Sequence, residues 1–480
     1  MKRENLTKGQ LFALEEMLSG KNVFLTGEAG TGKSEVIKMF IADREKAGKN
    51  ILITAPTGTA ADNLGGETIH RVFGAPVGVI ANSKPVKKRE EVLQATDIIV
   101  IDEISMCRFD LFEFIAKMIE FENGERARER MQEEIGIHLE EPAKPEIQMI
   151  VLGDFYQLPP VLTKEDKATL EEIYHYDFGE GFAFRSVYWD MFDFEPINLT
   201  EIVRQDNAAF KKVLSYIRLA KEKEMCTSFL QSHSSTFPFS TEDAIFLSGL
   251  NNKVSELNKK KLSELPGKTK TFHADQDGDI KMSEKFAEDV LHLKEGCKVM
   301  FTINAPSGEF KNGTMGTVMR MQNNCILIRT ADGNIVELHR YTKEITKPTV
   351  KETVKNVKGM DTEGNIQIKK EVVKTIEHDV VGSYTQFPLR LAYAITIHKS
   401  QGKTFDHVNI DPYCWDIGQF YVAVSRCRSI ENICFTGFLN TKYIKASKAI
   451  EKKFKGINRA DINHGCGEEC GYPGNIWLHG

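Results

Sequence analysis

Gly27–Ser34 reads G-E-A-G-T-G-K-S and fits the spacing G-x-x-x-x-G-K-S. That spacing suits a phosphate group. Gly27, Gly30 and Gly32, with Thr31 between, let the backbone curl so that its N–H groups point inward. A helix opening at the end of the loop adds partial positive charge. Lys33 is then placed to reach the β- and γ-phosphates of a nucleotide, and Ser34 to ligate Mg²⁺. Asp97–Glu103, D-I-I-V-I-D-E, supplies the complementary acid. Its apolar run predicts a buried strand, with Asp102 emerging at the C-terminal end, where ligands bind in such sheets. Asp102 would hold Mg²⁺, and Glu103 would position and polarise the attacking water. A lone D-E pair is a weak signal; beside a phosphate loop it is a strong one. Charge building on the transferred phosphoryl group also needs cations. Arg204 in L-T-E-I-V-R-Q and Arg426 in V-A-V-S-R-C-R are candidates, although either alone reads more simply as a surface ion-pair residue.

These residues need a scaffold. Asn22–Gly27, Ile51–Thr54, Asp97–Asp102 and Gln148–Leu152 are short apolar runs. The first is followed by a helical stretch, Ser34–Ala47, with Val36, Ile37, Phe40 and Ile41 on one face and Gly48 as its stop. Strands alternating with helices imply a parallel sheet covered on both faces. The pattern changes later. Cys325–Arg329 and Ile335–Arg340 flank A-D-G-N, a hairpin signal, and Asp361–Asn365 separates two more alternating runs. A β-rich module is expected over 301–387, after which His407–Ile410 and Asn432–Gly437 return to the earlier strand style. Lys84–Arg89 reads as a surface insertion, and Phe121–Ile147 as a solvated helix with Glu122–Arg126 and Glu125–Arg128 pairs.

Composition sets bounds. The chain has 480 residues, too long for one core, and its net charge of −5 excludes a strongly basic protein but not a local basic groove. Nine cysteines, an odd number mostly beside apolar residues, favour free thiols in a cytosol-like compartment. No run reaches the ~18 apolar residues of a membrane span. His464, Cys466, Cys470 and His479 lie close in the tail, but their spacing matches no zinc signature and a frayed Gly-rich end is the favoured reading.

Taken together, the motifs resemble those of superfamily 1 helicases of group B, most closely the PIF family, with RecD-like and Dda-type helicases as cousins. The resemblance spans about Leu6 to Leu439. L-T-K-G-Q resembles the family's Q-motif, which implies that Gln10 reads adenine. A-P-T-G-T-A-A (Ala55–Ala61) and T-I-H-R-V-F (Thr68–Phe73) resemble strand-binding blocks, which implies that Pro56, Thr57, Thr68 and His70 lie near DNA. V-L-G-D-F-Y-Q-L-P-P-V (Val151–Val161) resembles the block coupling both ligands, with Gln157 sensing the γ-phosphate and Phe155 near DNA. A-I-T-I-H-K-S-Q-G-K-T (Ala394–Thr404) implies Thr396 and His398 facing DNA, and Gly402 and Thr404 facing nucleotide. Arg204 and Arg426 match the family's two arginine fingers.

The implied fold is α/β: two RecA-like P-loop domains with parallel sheets, a small wedge insertion in the first and a Src-homology-three-like β-barrel inserted in the second. The expected boundaries are 1–205 for the first domain (wedge at about 75–96, charged insertion at about 121–147), 206–300 and 388–445 for the second, 301–387 for the inserted module and 446–480 for a tail. The implied activity is ATP- and Mg²⁺-dependent, 5′-to-3′ movement on single-stranded DNA with unwinding of tailed duplexes, by a monomer in a bacterial or phage cytoplasm, with a nuclear or mitochondrial location left open. An ATP-gated clamp that unwinds nothing and an RNA-directed motor remain open. Arg71 and Lys399 would make the DNA track modestly positive.

Overall fold

A computed structural model describes residues 3–80, 90–137, 139, 143–205, 207–278, 280–305, 307–322, 324–360 and 366–455. Lys84–Arg89, the turn Asp361–Asn365 and the tail cluster of His464, Cys466, Cys470 and His479 lie outside these residues.

The first half of the chain builds a six-stranded sheet. Its strands are β1 (Val23–Gly27), β2 (Ile51–Ala55), β3 (Glu67–Thr68), β4 (Ile98–Ile101), β5 (Gln148–Leu152) and β6 (Glu195–Leu199), in the order β3-β2-β4-β5-β1-β6. Every pairing is parallel. Successive side chains of a strand point to opposite faces, so a sheet covered on both sides needs apolar residues at every position. Val23 and Leu25 bury against the helices α1 (Lys8–Leu18) and α2 (Lys33–Lys46), through Leu14, Met17, Val36 and Phe40. Phe24, between them, buries on the other side with Phe112, Ile115 and Ile119. Two short helices, α3 (Gly58–Leu64) and α4 (Ile69–Phe73), pack at the β3 edge, and a third, α5 (Glu90–Ala95), precedes β4.

The charged segment after Phe121 continues one long helix, α6 (Phe109–Glu134). Both expected ion pairs form, Glu122–Arg126 at 2.8 Å and Glu125–Arg128 at 2.6 Å. Only the second is solvated. Arg126 is 2% exposed and donates to the carbonyls of Leu93, Gln94, Thr96 and Pro145. The helix is thereby anchored to the end of α5, which corrects the expectation of a purely surface element.

The second half opens with β7 (Ile245–Ser248). β8 (Lys270–His273) and β10 (Val290–Leu293) form a small antiparallel pair, and β9 (Asp275–Gly278), between them in sequence, belongs to a different sheet. The expected β-rich module then divides into two pieces. β11 (Lys298–Phe301), β12 (Met315–Met321), β13 (Cys325–Thr330), β14 (Ile335–His339) and, later, β17 (Leu389–Leu391) make a five-stranded antiparallel sheet. The A-D-G-N hairpin is present between β13 and β14, with Gly333 at φ +83°. The second piece is an arm. β15 (Tyr341–Met360) and β16 (Ile366–Gln386) pair from Tyr341↔Gln386 to Met360↔Ile366, a ribbon roughly 65 Å long at the usual rise per residue. The chain closes with β18 (Ala394–Thr396), β19 (Val408–Ile410) and β20 (Ile433–Phe435), which join β7 in a parallel sheet ordered β18-β7-β19-β20.

Two segments cross back onto the first half. Val350 and Ile376 of the arm, and Ile450 and Phe454 at the chain's described end, pack into the same core as Phe24. The seven described cysteines are all buried free thiols. Among the described residues no helix is long and apolar enough to cross a membrane.

Candidate functional site

The two parallel sheets face each other across a cleft, and the phosphate loop lies in it. Gly27, Gly30 and Gly32 all have positive φ. At all three the surroundings add a second reason for glycine: a Cβ on Gly27 would sit 2.6 Å from the Leu199 carbonyl oxygen. A Cβ on Gly30 would sit 2.5 Å from Cβ of Arg204, and one on Gly32 would sit 2.4 Å from Nε2 of Gln10. Lys33 opens α2 and folds its ammonium into the loop, donating to the carbonyls of Gly27 (2.8 Å) and Glu28 (3.1 Å). Burial pushes its pKa down, against the pull of Asp154 and Glu103. Thr31 closes the loop onto the Glu28 carbonyl at 3.0 Å, and Ser34 is exposed in the first turn of α2.

Asp102 and Glu103 follow β4 directly. Burial pushes the Asp102 pKa up to about 7, and the neighbouring Glu103 adds to the rise. Enclosure also raises Glu103, opposed by Lys33 and Arg426. Glu103 has φ +50°, a left-handed conformation that costs a non-glycine residue about 1 kcal/mol or more and persists where the surroundings over-determine it. Both carboxylates have raised pKa values, so the nearby Lys33 supplies too little positive charge to offset their burial. A divalent cation between Asp102 and the Ser34 hydroxyl would supply the rest, and Mg²⁺, which keeps several waters, needs few protein ligands.

The second half supplies the other wall. Arg426 is 1% exposed, and its guanidinium donates to the carbonyls of Val422, Ser400 and Lys403 and to the Ser425 hydroxyl. Burial, and then Arg204, lowers its pKa to about 9. Arg204 reaches the Ser425 carbonyl at 3.4 Å. Gln157 donates to Asp154 at 3.4 Å. Gly402 (φ +74°) and Thr404 are exposed, with open space where a Gly402 Cβ would be. Gln10 is committed to protein in this structure: Oε1 accepts from the Thr7 N–H, and Nε2 donates to the Thr31 carbonyl.

The expected strand-facing residues sit at C-terminal strand ends. Pro56 and Thr57 follow β2, and Thr57 caps α3 by accepting from the Ala60 N–H. Thr68 ends β3, and its hydroxyl oxygen is buried without a partner. His70 and His398 are half-buried, and burial lowers the pKa of both. Thr396 ends β18 and accepts from the Lys399 N–H at 3.3 Å. Two expectations fail here. Phe155 is 2% exposed and locked in an aromatic cluster with Phe24, Phe182, Phe184, Trp189 and Phe454, so it is a core ring and cannot face a strand. Arg71 is buried and forked onto Glu284 at 2.7 and 2.5 Å, so it adds no free charge to the track, whereas Lys399 is exposed.

Comparison with known proteins now decides the family. The model of the PIF1-like helicases matches residues 6–221. The ATP-dependent DNA helicase Pif1 of Bdellovibrio bacteriovorus is 31% identical over 468 residues, covering 94% of this chain and 93% of that protein. The chain belongs to the PIF1-like helicases. Among solved structures, Bacteroides Pif1 in complex with ADP-AlF4 superposes with a TM-score of 0.74 at 30% identity, covering 94% of this chain and 97% of that one. Bacteroides Pif1 bound to single-stranded DNA superposes with a TM-score of 0.64, with the same coverage. The two-sheet fold is therefore the RecA-like helicase pair.

Several residues of this PIF1-like cleft escape a motif reading. Arg218, at the end of the helix Ala208–Arg218, makes a bidentate pair with Asp154 at 2.8–3.1 Å while lying 4.5 Å over the Tyr156 ring. Tyr421 accepts from the Ala29 N–H, and Ser215 donates to Glu28. Gln401 donates across the cleft to Glu103 at 3.1 Å and to Gln157 at 3.4 Å. Asp154 and Gln401 lie inside quoted motifs, which was the available signal. Arg218 and Ser215 lie outside them all.

Proposed function

We propose that this ATP-dependent DNA helicase tracks 5′-to-3′ along single-stranded DNA and unwinds duplexes bearing a 5′ tail. One observation carries the reading: the phosphate loop, the Asp102–Glu103 pair, Gln157, Arg204 and Arg426 converge on a single cleft between two parallel sheets. The related Bacteroides enzyme has been seen with ADP-AlF4 and with single-stranded DNA, and this chain would take the same two classes of ligand.

Each residue then has a task. The loop glycines and Lys33 cradle the phosphates. Ser34 and Asp102 would hold Mg²⁺, which offsets charge on the phosphate oxygens when bound. Glu103 takes a proton from the attacking water, and Gln157 senses the γ-phosphate. Arg204 and Arg426 stabilise charge on the transferred group, which requires Arg426 to exchange part of its carbonyl bonding for phosphate. Gln10 would reach adenine only by releasing the Thr31 carbonyl. Pro56, Thr57, Thr68, His70, Thr396 and His398 line the strand path, held largely through hydroxyl, imidazole and backbone groups that do not read sequence. Loss of the γ-phosphate relaxes the arginine link, and the two domains part.

Unwinding of duplexes with a 5′ or a 3′ tail, with ATP and Mg²⁺, tests the reading. Displacement of the 5′-tailed substrate alone is expected. Displacement of the 3′-tailed substrate alone overturns the polarity, and ATP turnover without displacement of either favours a clamp.

A further inference from the structure

We propose that Gln401 is a positioning residue that completes the Glu103 base from the opposite domain and so transmits strand binding to hydrolysis. It rests on the reading of the cleft as an ATPase site and of Thr396 and His398 as strand-facing.

Three observations carry it. First, Gln401 Nε2 bridges Glu103 Oε2 (3.1 Å) and Gln157 Oε1 (3.4 Å), two residues of the other domain. Glu103 is held in a left-handed backbone conformation, which persists where the surroundings over-determine it, and Gln401 is one of those surroundings. Second, Gln401 Oε1 is buried with no hydrogen-bond partner. A buried amide oxygen left unpaired is costly, and a water placed between Glu103 and Gln157 would satisfy it. Third, Gln401 ends a stiff turn that begins at the strand path. Ile397 N–H donates to the Ser248 carbonyl, Ser400 N–H and hydroxyl both donate to the Ile397 carbonyl, and Gln401 N–H donates to the His398 carbonyl. Ser400 is fully buried in this turn. A shift of Thr396 and His398 on a strand therefore moves Gln401 with it, and the Glu103 bond forms or fails as the domains close. This is a physical route between two sites through one rigid element.

The test is steady-state ATP turnover with and without a thymidine oligonucleotide, in wild type and in Gln401→Met, which keeps the length and volume but no N–H. Expected is a loss of roughly 10- to 100-fold in strand-stimulated kcat, the scale of one hydrogen bond to a charged group. KM for ATP and oligonucleotide affinity should stay within about threefold, and the stimulation ratio should fall. A second variant, Gln401→Glu, places a carboxylate against Glu103 and should lose more kcat at similar KM. Unchanged kcat in Gln401→Met, or a loss matched by equal weakening of ATP or strand binding, overturns the inference. Wild-type protein that does not turn over ATP would instead overturn the functional reading beneath it.

Discussion

Besides Ile450 and Phe454 in the Phe24 core, the second half of the chain meets the first at the cleft and along the arm, and these two contacts are built differently. In the cleft the contacts are buried: the side chains of Asp154 and Arg218 are 0% and 4% exposed, and Tyr421 and Gln401 reach over from the same side. Along the arm the polar contacts are partly exposed, with Lys343, Asp62 and His378 reaching water and Glu67 mostly covered. Lys343 meets Asp62 at 2.7 Å, and Thr346 and His378 both meet Glu67 on β3. Glu284, in the short segment that precedes the arm, makes a buried pair with Arg71. Water screens the arm's charges and leaves the cleft's charges at full strength. The cleft is thus a contact in which each buried pairing counts heavily, and the arm is one whose exposed pairs count little.

This difference sets an order of effects. The largest should follow Asp154→Ala, which strands Arg218 as an uncompensated buried charge. A loss of about 3–5 kcal/mol is expected, read as a lower denaturant midpoint. Asp154→Ala melting like wild type would show that the cleft opens easily and would erase the contrast with the arm. Next comes Lys33→Ala. It removes the loop's ammonium and should lower ATP turnover on the order of 10²- to 10³-fold with little change in melting. A proportional rise in KM with kcat kept would mean that Lys33 only binds ATP.

The same contrast explains what could be read from the residues in order. The cleft's chemistry was legible where it is local: a phosphate loop needs positive φ at Gly30 and Gly32, and a buried strand delivers Asp102 and Glu103 to its end. Pairings between distant segments were not legible. Arg218 meets Asp154 across 64 positions, and nothing in an amphipathic helix marks one arginine as its partner. The motif alone cannot show Phe155 to be a core ring, because the rings that enclose it come from Phe24, Phe182, Phe184, Trp189 and Phe454. The arm's alternating pattern signalled strands, yet period-2 alternation reports which face is covered and not how long the ribbon is or where it lands.

On the arm, a pH effect is expected from His378. Its hydrogen bond to Glu67 raises the imidazole pKa above the ordinary 6.5, against the opposing effect of burial. A raised pKa stabilises the protonated, docked form. The contribution is complete below about 6.5 and is lost as pH rises through the raised value. Amide exchange around Thr346 and Glu377, corrected for intrinsic rates, should therefore accelerate from pH 6 to about pH 9 in wild type and change little in His378→Gln. An equal response in both proteins would assign the effect elsewhere.

The smallest effect should come from Lys343. Its bond to Asp62 is short, but the two side chains are 21% and 39% exposed, and such a pair contributes roughly 0.2–1 kcal/mol. Holding a four-carbon stem in one rotamer offsets much of the attraction, and salt screens the rest. A double-mutant cycle of Lys343→Ala with Asp62→Ala should return a coupling within that range, shrinking as salt is raised from about 0.05 M to 0.5 M. A coupling near that of Asp154 with Arg218, insensitive to salt, would mean that water is excluded along the arm. The arm would then have to be reclassed with the cleft, as a contact in which each pairing counts heavily.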